Sequence, residues 1–237
     1  MSNRHIIHIT NSFDKLKSIL NGKSLRLKYC EEIFYLGKER ISSAAHPMIC
    51  FSEYDLNDLS TKEITYGEYG IAFSNSWVRK NKIHRVIYID CDSAIATSLA
   101  KLLRARQNKE TSNLPDNLRL PIMTIKCFTK NATGYNSYFG IHDFNFRNEN
   151  EWRYVPSKEY IGHNLISQNR GTYVQDKGKH NKRLLPFPLP FALTDVIGIF
   201  VKSKTEIQTL INLYSLDSNK VMTASWAYKH PKKRANA

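Results

Sequence analysis

"YGEYGIAFSNSWVRKNKIHRVIYID", residues 66–90, places two glycines, Gly67 and Gly70, ahead of an apolar run. A dinucleotide-binding turn sets its glycines after a strand, as G-x-G-x-x-G opening a helix. Here the third glycine is missing and the pair introduces a strand, "GIAF", instead of leaving one. A short helix capped at Ser74 or Asn75 follows, then a second strand, "HRVIYID". That order sets the Rossmann reading aside and points to a sheet with short flanking helices.

The flanks continue the pattern. Residues 4–10, "RHIIHIT", read as a β-branched strand. In "NSFDKLKSILNG", Asn11 or Ser12 caps a helix with Phe13, Leu16, Ile19 and Leu20 on one face, and Gly22 ends it. "SLRLKYCEEIF" is extended, 37–46 is a polar loop, and "PMICFSEYDL" is a buried strand. Residues 92–109 form the clearest helix, with an Asp92/Ser93 cap and basic last turns. "RLPIMTIKCF" is expected as a strand, 131–150 and 161–183 as irregular loops, "EWRYVP" and "DVIGIFVK" as strands, and "SKTEIQTLINLYSL" as a capped helix. Strands outnumber helices. The expectation is one α+β domain over 1–228, with twisted mixed or antiparallel sheets, and a basic disordered tail over 229–237.

The 237 residues carry a net charge of +14, which favours a polyanionic partner such as nucleic acid, or an anionic cofactor. Cys30, Cys50, Cys91 and Cys127 form no C-x-x-C pair and read as free thiols in a reducing cytoplasm, with no metal. No apolar run reaches the ~20 residues of a membrane span, so a soluble cytoplasmic protein is expected. Walker, H-E-x-x-H and G-x-S-x-G motifs are lacking.

"NENEWRYVPSKEY", residues 148–160, sets Glu151 directly against Trp152 and Arg153. Strand alternation sends Trp152 inward and returns Arg153 to the Glu151 face. The pair is either a surface ion pair of little worth or a working carboxylate held by its arginine. His8, Tyr66 or Tyr69, and Glu151 lie on three separated strands and would meet in one cleft if those strands are neighbours. Each also has an ordinary alternative: an edge histidine satisfied by backbone, aromatic filler, or a solvated acid.

An opening His-x-Thr strand, a helix ending "ILNG", a tyrosine-centred middle strand and a late strand opening with Glu resemble the ADP-ribosyltransferase superfamily in its His-Tyr-Glu form. The order "HIT…LKSILNG", "KYCEE", "PMICFSEYDL", "YGEYGIAFSNSWVRKNKIHRVIYI", "EWRYVP" and "DVIGIFV", over about residues 5–201, is similar to the AbiGi-type phage-resistance (abortive infection) family. The acid that usually follows Cys-Phe there is replaced by "SEYDL", so no role is carried over at that point.

The resemblance implies an ADP-ribosyltransferase-like fold with NAD as substrate and no metal. Glu151 would stabilise the oxocarbenium-like transition state and Arg153 would hold it. Tyr69, favoured over Tyr66, would stack on nicotinamide. His8 and Thr10 would hold the ribose and nicotinamide sides, with Arg26, Tyr29 and Phe73 completing the cofactor site. The implied function is an ADP-ribosyltransferase toxin of a phage-defence or toxin–antitoxin system, with a cognate antitoxin as a possible partner. Its acceptor would be single-stranded RNA or DNA, reached through Tyr135, Tyr138, Lys177, Lys179, Lys182 and Arg183. Such family members are often described as antitoxins. The alternatives are therefore a non-catalytic antitoxin or nucleic-acid-binding module on the same fold, or a protein-modifying enzyme.

Overall fold

A computed structural model describes residues 4–108, 114–136, 139–162 and 164–229. Its spine is a mixed sheet built on one long strand. The strands that matter are β1 (Arg4–Thr10), β2 (Lys28–Leu36), β3 (Glu39–Asp55), β4 (Tyr69–Phe73), β5 (His84–Arg85), β6 (Ile87–Ile89), β7 (Thr129–Asn131), β8 (Glu151–Tyr154), β9 (Val196–Val201) and β10 (Val221–Thr223). Across the sheet the order is β10-β9-β4-β1-β3-β8-β5, antiparallel except for the parallel β9–β10 pair. The α+β class and the mixed sheet match the expectation.

β3 changes partners along its length. Its first half pairs with β2, from Leu36↔Glu39 to Lys28↔Met48. Its second half lies between β1 and β8. The expected loop over 37–46 is therefore mostly strand. Ser42, Ser43, Ala44 and Ala45 have little β-propensity of their own. Ladder pairing with β2 overrides that weakness. Only Gly37, at φ 55, and Lys38 form the turn.

Helices cover the sheet: α1 (Phe13–Gly22), α2 (Asn75–Lys80), α3 (Ala94–Gln107), α4 (Asp116–Cys127), α5 (Arg170–Gln175), α6 (Lys177–Lys182) and α7 (Lys204–Tyr214). Ser12, Ser74 and Ser93 cap α1, α2 and α3 through their side chains, and Ser203 forms a capping box with Glu206 on α7. Lys23, not Gly22, takes the left-handed conformation that ends α1. Three further expectations need correction. "RLPIMTIKCF" lies in α4 because Ile122, Met123, Lys126 and Cys127 recur at helical spacing and bury together. Thr133–Asn136 pairs antiparallel with Ile141–Asn145, and α5 and α6 lie within 161–183. Of the tail, only Lys229 lies among the described residues.

Alternation sorts the sheet into two faces. Ile6, Phe51, Ile71 and Phe73 pack under Leu16 and Leu20 of α1 and Trp77 of α2. Phe73 stacks on Trp77 at 4.2 Å between ring centres. Ile7, Tyr54, Ala72 and Phe200 point the other way, onto Trp226. Phe34 and Ile41, beyond the bend, lie under Leu99 and Leu103 of α3 and Ile122 of α4. Among the described residues no helix is long and apolar enough to cross a membrane.

His46 of β3 is fully buried. Its Nδ1–H donates to the Ile166 carbonyl at 3.1 Å and its Nε2 has no hydrogen-bond partner. Burial, then Lys126, lower its pKa from 6.5 to about 3. The unfolded chain takes up this proton below pH 6.5, whereas the fold resists it until about pH 3. Stability is therefore complete above that window and is lost as pH falls through it, by about 1.4 kcal/mol per pH unit. Burial also lowers the His8 pKa, which adds a contribution of the same sign. Urea unfolding between pH 6 and 4 should show a shallower pH slope in His46→Gln than in wild type. An unchanged slope removes His46 as the source.

Candidate functional site: a forked cleft over a buried charge layer

β1 and β3 pair only as far as Ile7↔Ser52, after which His8, Ile9 and Thr10 stay with β4 alone. The fork opens a cleft of about 460 Å³. His8 and Thr10 line one side, Met48 to Ser52 of β3 the other, with Arg26, Lys28, Tyr66 and Glu151 around them. His8 spans the fork: its Nδ1 lies 2.9 Å from the Cys50 carbonyl. A carbonyl only accepts, so Nδ1 carries the proton and Nε2 is the free acceptor.

Five of the residues singled out in the sequence, His8, Thr10, Arg26, Tyr66 and Glu151, thus share one cleft. Three others do not line it. Tyr69 is buried and donates to Glu206 at 2.9 Å, because its position opposite Thr10 turns its ring toward Phe13 of α1. Tyr29 donates to the Leu165 carbonyl at 2.7 Å and packs beside Tyr173. Phe73 is a core residue. The cleft tyrosine is therefore Tyr66. Its residue surface is 46 % exposed, and burial of its hydroxyl beside the Glu149 and Glu151 carboxylates raises its pKa well above the ordinary 10.

Glu151 pairs with Ser52 and Arg153 with Cys50, so both side chains share one face of β8, as alternation requires. Arg153 is fully buried. Its Nε donates to Glu151 Oε1 at 2.8 Å and its Nη2 to Glu151 Oε2 at 3.0 Å. Nη2 also reaches Glu32 at 2.7 Å, and Nη1 reaches the Cys127 carbonyl at 2.6 Å. Lys130 adds a second cation, 2.6 Å from Glu149 and 3.3 Å from Glu151. Burial alone would raise the Glu151 pKa; Arg153, then Lys130, outweigh it and bring it to about 2. Burial wins at Glu149, whose pKa is raised. The surface-pair alternative for Glu151 and Arg153 does not hold.

Glu32, Lys130 and Glu149 complete this layer, and the sequence reading does not single them out. Glu149-Asn150-Glu151 carries a usable signal, since acids two apart on extended backbone face one way. Asn150 at φ 42 breaks the strand between them, yet Lys130 bridges both. Glu32 and Lys130 come from elements whose contact with β8 only the tertiary fold creates.

The expected nucleic-acid residues are scattered. Tyr135 is exposed with its ring 4.9 Å from His142, and Tyr138 lies outside the described residues. Lys177 is tied to Glu31. Lys179, Lys182 and Arg183 are exposed on and just after α6. Glu31 alternates with Cys30 of the cleft, so α6 sits against the opposite face of β2. The geometry does not bring these cations to the cleft. The four cysteines are free, and no group of three His, Cys, Asp or Glu among the described residues is placed to hold a metal ion.

A family model described as "Putative abortive phage resistance protein AbiGi, antitoxin" matches residues 23–202. Comparison with curated proteins and with solved structures returned no match. The matched span holds Arg26, Tyr66, Glu151 and Arg153; His8 and Thr10 precede it.

Proposed function

The chain belongs to the AbiGi family of phage-resistance proteins, and from that premise we propose that it is the antitoxin of a phage-defence pair, acting by holding a cognate toxin protein. The observation that carries this reading is the state of Glu151. A carboxylate placed to stabilise a developing cation needs a free oxygen facing the substrate. Glu151 Oε2 accepts from both Arg153 and Lys130 and Oε1 from Arg153, so one Oε1 lone pair is left for a substrate. The carboxylate acts as the keystone of a buried charge layer.

A second reading rests on the convergence of His8, Thr10, Tyr66 and Glu151 in one cleft. It keeps the cleft as an NAD site and the chain as an ADP-ribosyltransferase. The exposed ring of Tyr66 suits stacking on nicotinamide, and Arg26 at the mouth suits a diphosphate. This reading asks the one remaining Oε1 lone pair of Glu151 to face the ribose.

One experiment separates the two. The wild-type chain and Glu151→Gln are expressed alone in a bacterial host, and NAD is followed in cells and with purified protein. The antitoxin reading expects both to be harmless and NAD to persist. NAD loss that falls by ~100-fold in Glu151→Gln, with toxicity relieved, would overturn it in favour of the enzyme.

A further inference from the structure

Three cations meet at the mouth of the forked cleft, from α1 and from the chain entering β2. Arg26 and Lys28 are exposed and alternate with buried Leu25 and Leu27, a two-residue period that turns both to one side. Lys15 and Ile19 lie four apart on α1 and share its cleft side. Among the described residues neither Arg26 nor Lys28 has an ion pair, and the Lys15 Nζ donates to the neutral Asn11 side chain at 2.7 Å. Glu151 is the one acid in the cleft lining, and Arg153 and Lys130 already hold it. The mouth therefore carries positive charge that no described acid offsets.

Behind the mouth the wall is apolar, made by Ile9, Ile19, Met48 and Ile49. His8 lines it with an acceptor. Burial keeps the imidazole neutral, and with Nδ1–H given to the Cys50 carbonyl its Nε2 is left to accept an N–H. The end of a polypeptide supplies the matching set: a side chain for the wall, a peptide N–H for His8, and carboxylates for the cations. A cleft of about 460 Å³ receives such an end but not a whole helix, which is about 10–12 Å across. Charge narrows the source. A second copy of this chain, at net charge +14, would bring cations to cations, and residues 229–237, "KHPKKRANA", are themselves basic.

We infer that the cleft captures the C-terminal end of the partner toxin, an acidic end closing on an apolar residue, with Arg26 and Lys28 on its carboxylates. This deepens the antitoxin reading and rests on it, because it names the part of the toxin that is held and the chemistry that holds it.

The probe is a labelled peptide, Gly-Ser-Glu-Glu-Leu with a free carboxylate, read by fluorescence anisotropy against the full chain. The same peptide with lysine for glutamate and a C-terminal amide is the charge control. The wild-type chain should bind the acidic end at least tenfold more tightly than the control. Arg26→Ser/Lys28→Ser should weaken that binding at least tenfold and flatten its salt dependence. Its thermal midpoint should be unchanged, since neither side chain holds an ion pair in the fold. Ser18→Trp, at an exposed α1 position of the lining, keeps every cation but fills the cleft, and should weaken binding as much. Lys179→Ser/Lys182→Ser, which removes two exposed cations of α6, should leave binding intact. Equal binding of the two peptides, wild-type binding by Ser18→Trp, or an equal loss in the α6 variant overturns the inference and spares the antitoxin reading. Tighter binding of phenyl phosphate than of the acidic peptide also overturns it, since the cleft would then hold a free small anion. NAD loss on expression that Glu151→Gln relieves sinks the antitoxin reading itself, whatever the peptide does.

Discussion

Replacing Arg153 by methionine should destabilise the protein by roughly 3–5 kcal/mol, the cost of stranding buried charges without their partner. Glu151 and Glu32 would face each other with their shared cation gone, and the Cys127 carbonyl would lose its donor. For a chain of this size the thermal midpoint should fall by about 10–15 °C. With Arg153 gone, burial raises the Glu151 pKa, so the loss should ease as pH falls toward 4. Glu32→Gln and Glu151→Gln added to Arg153→Met should recover more than half of it, because neutral groups of similar shape cost far less to bury. A drop under about 1 kcal/mol for Arg153→Met alone would mean that the charge layer is not what holds β8 against β3.

Gly67→Ala should cost roughly 2–4 kcal/mol, although it adds a single methyl group. Gly67 sits at φ +150, and a Cβ there would lie 2.0 Å from the Thr10 carbonyl oxygen and 2.4 Å from its carbon. Both are backbone atoms at the end of β1, so no rotamer change relieves the clash. The chain would have to lift, pulling on the Trp226 indole N–H that donates to the Gly67 carbonyl at 2.9 Å. Tyr66 would lift with it and open the cleft. Gly140→Ala is the matched control: φ is +67 there, but nothing lies within 4 Å, so the cost should be only about 1 kcal/mol. Equal midpoints for the two variants would show that conformation, not contact, sets the effect.

Much of the architecture is legible in the residues themselves. β-branched runs mark β1 and β9, an apolar run marks β4, and serine caps mark α1, α2, α3 and α7, because those signals are local. The separated residues His8 and Glu151 do come to one cleft. The failures share a cause in long-range context. Residues 42–45 become strand only because β2 lies beside them. Tyr66 and Tyr69 are equivalent in composition, and only the pairing of Tyr69 with Thr10 shows which one is sent to the core. "PIMTI" reads equally as a β-branched strand or as a buried helix. The role of Arg153 is half legible: alternation puts it beside Glu151, but nothing local announces Glu32 as its second acid.

β8 meets its place on β3 across 99 residues of chain. During synthesis that separation becomes time. At 5–20 residues per second, roughly 5–20 s pass between the appearance of Ser52 and that of Glu151. Throughout that interval β2 and β3 can already form their hairpin, which is local and quick to close. The edge of β3 that waits for β8 stays open, and Glu32 has no arginine. The nascent chain therefore passes through a stage with its framework begun and its cleft unmade, and a truncated product ending before Glu151 would remain there.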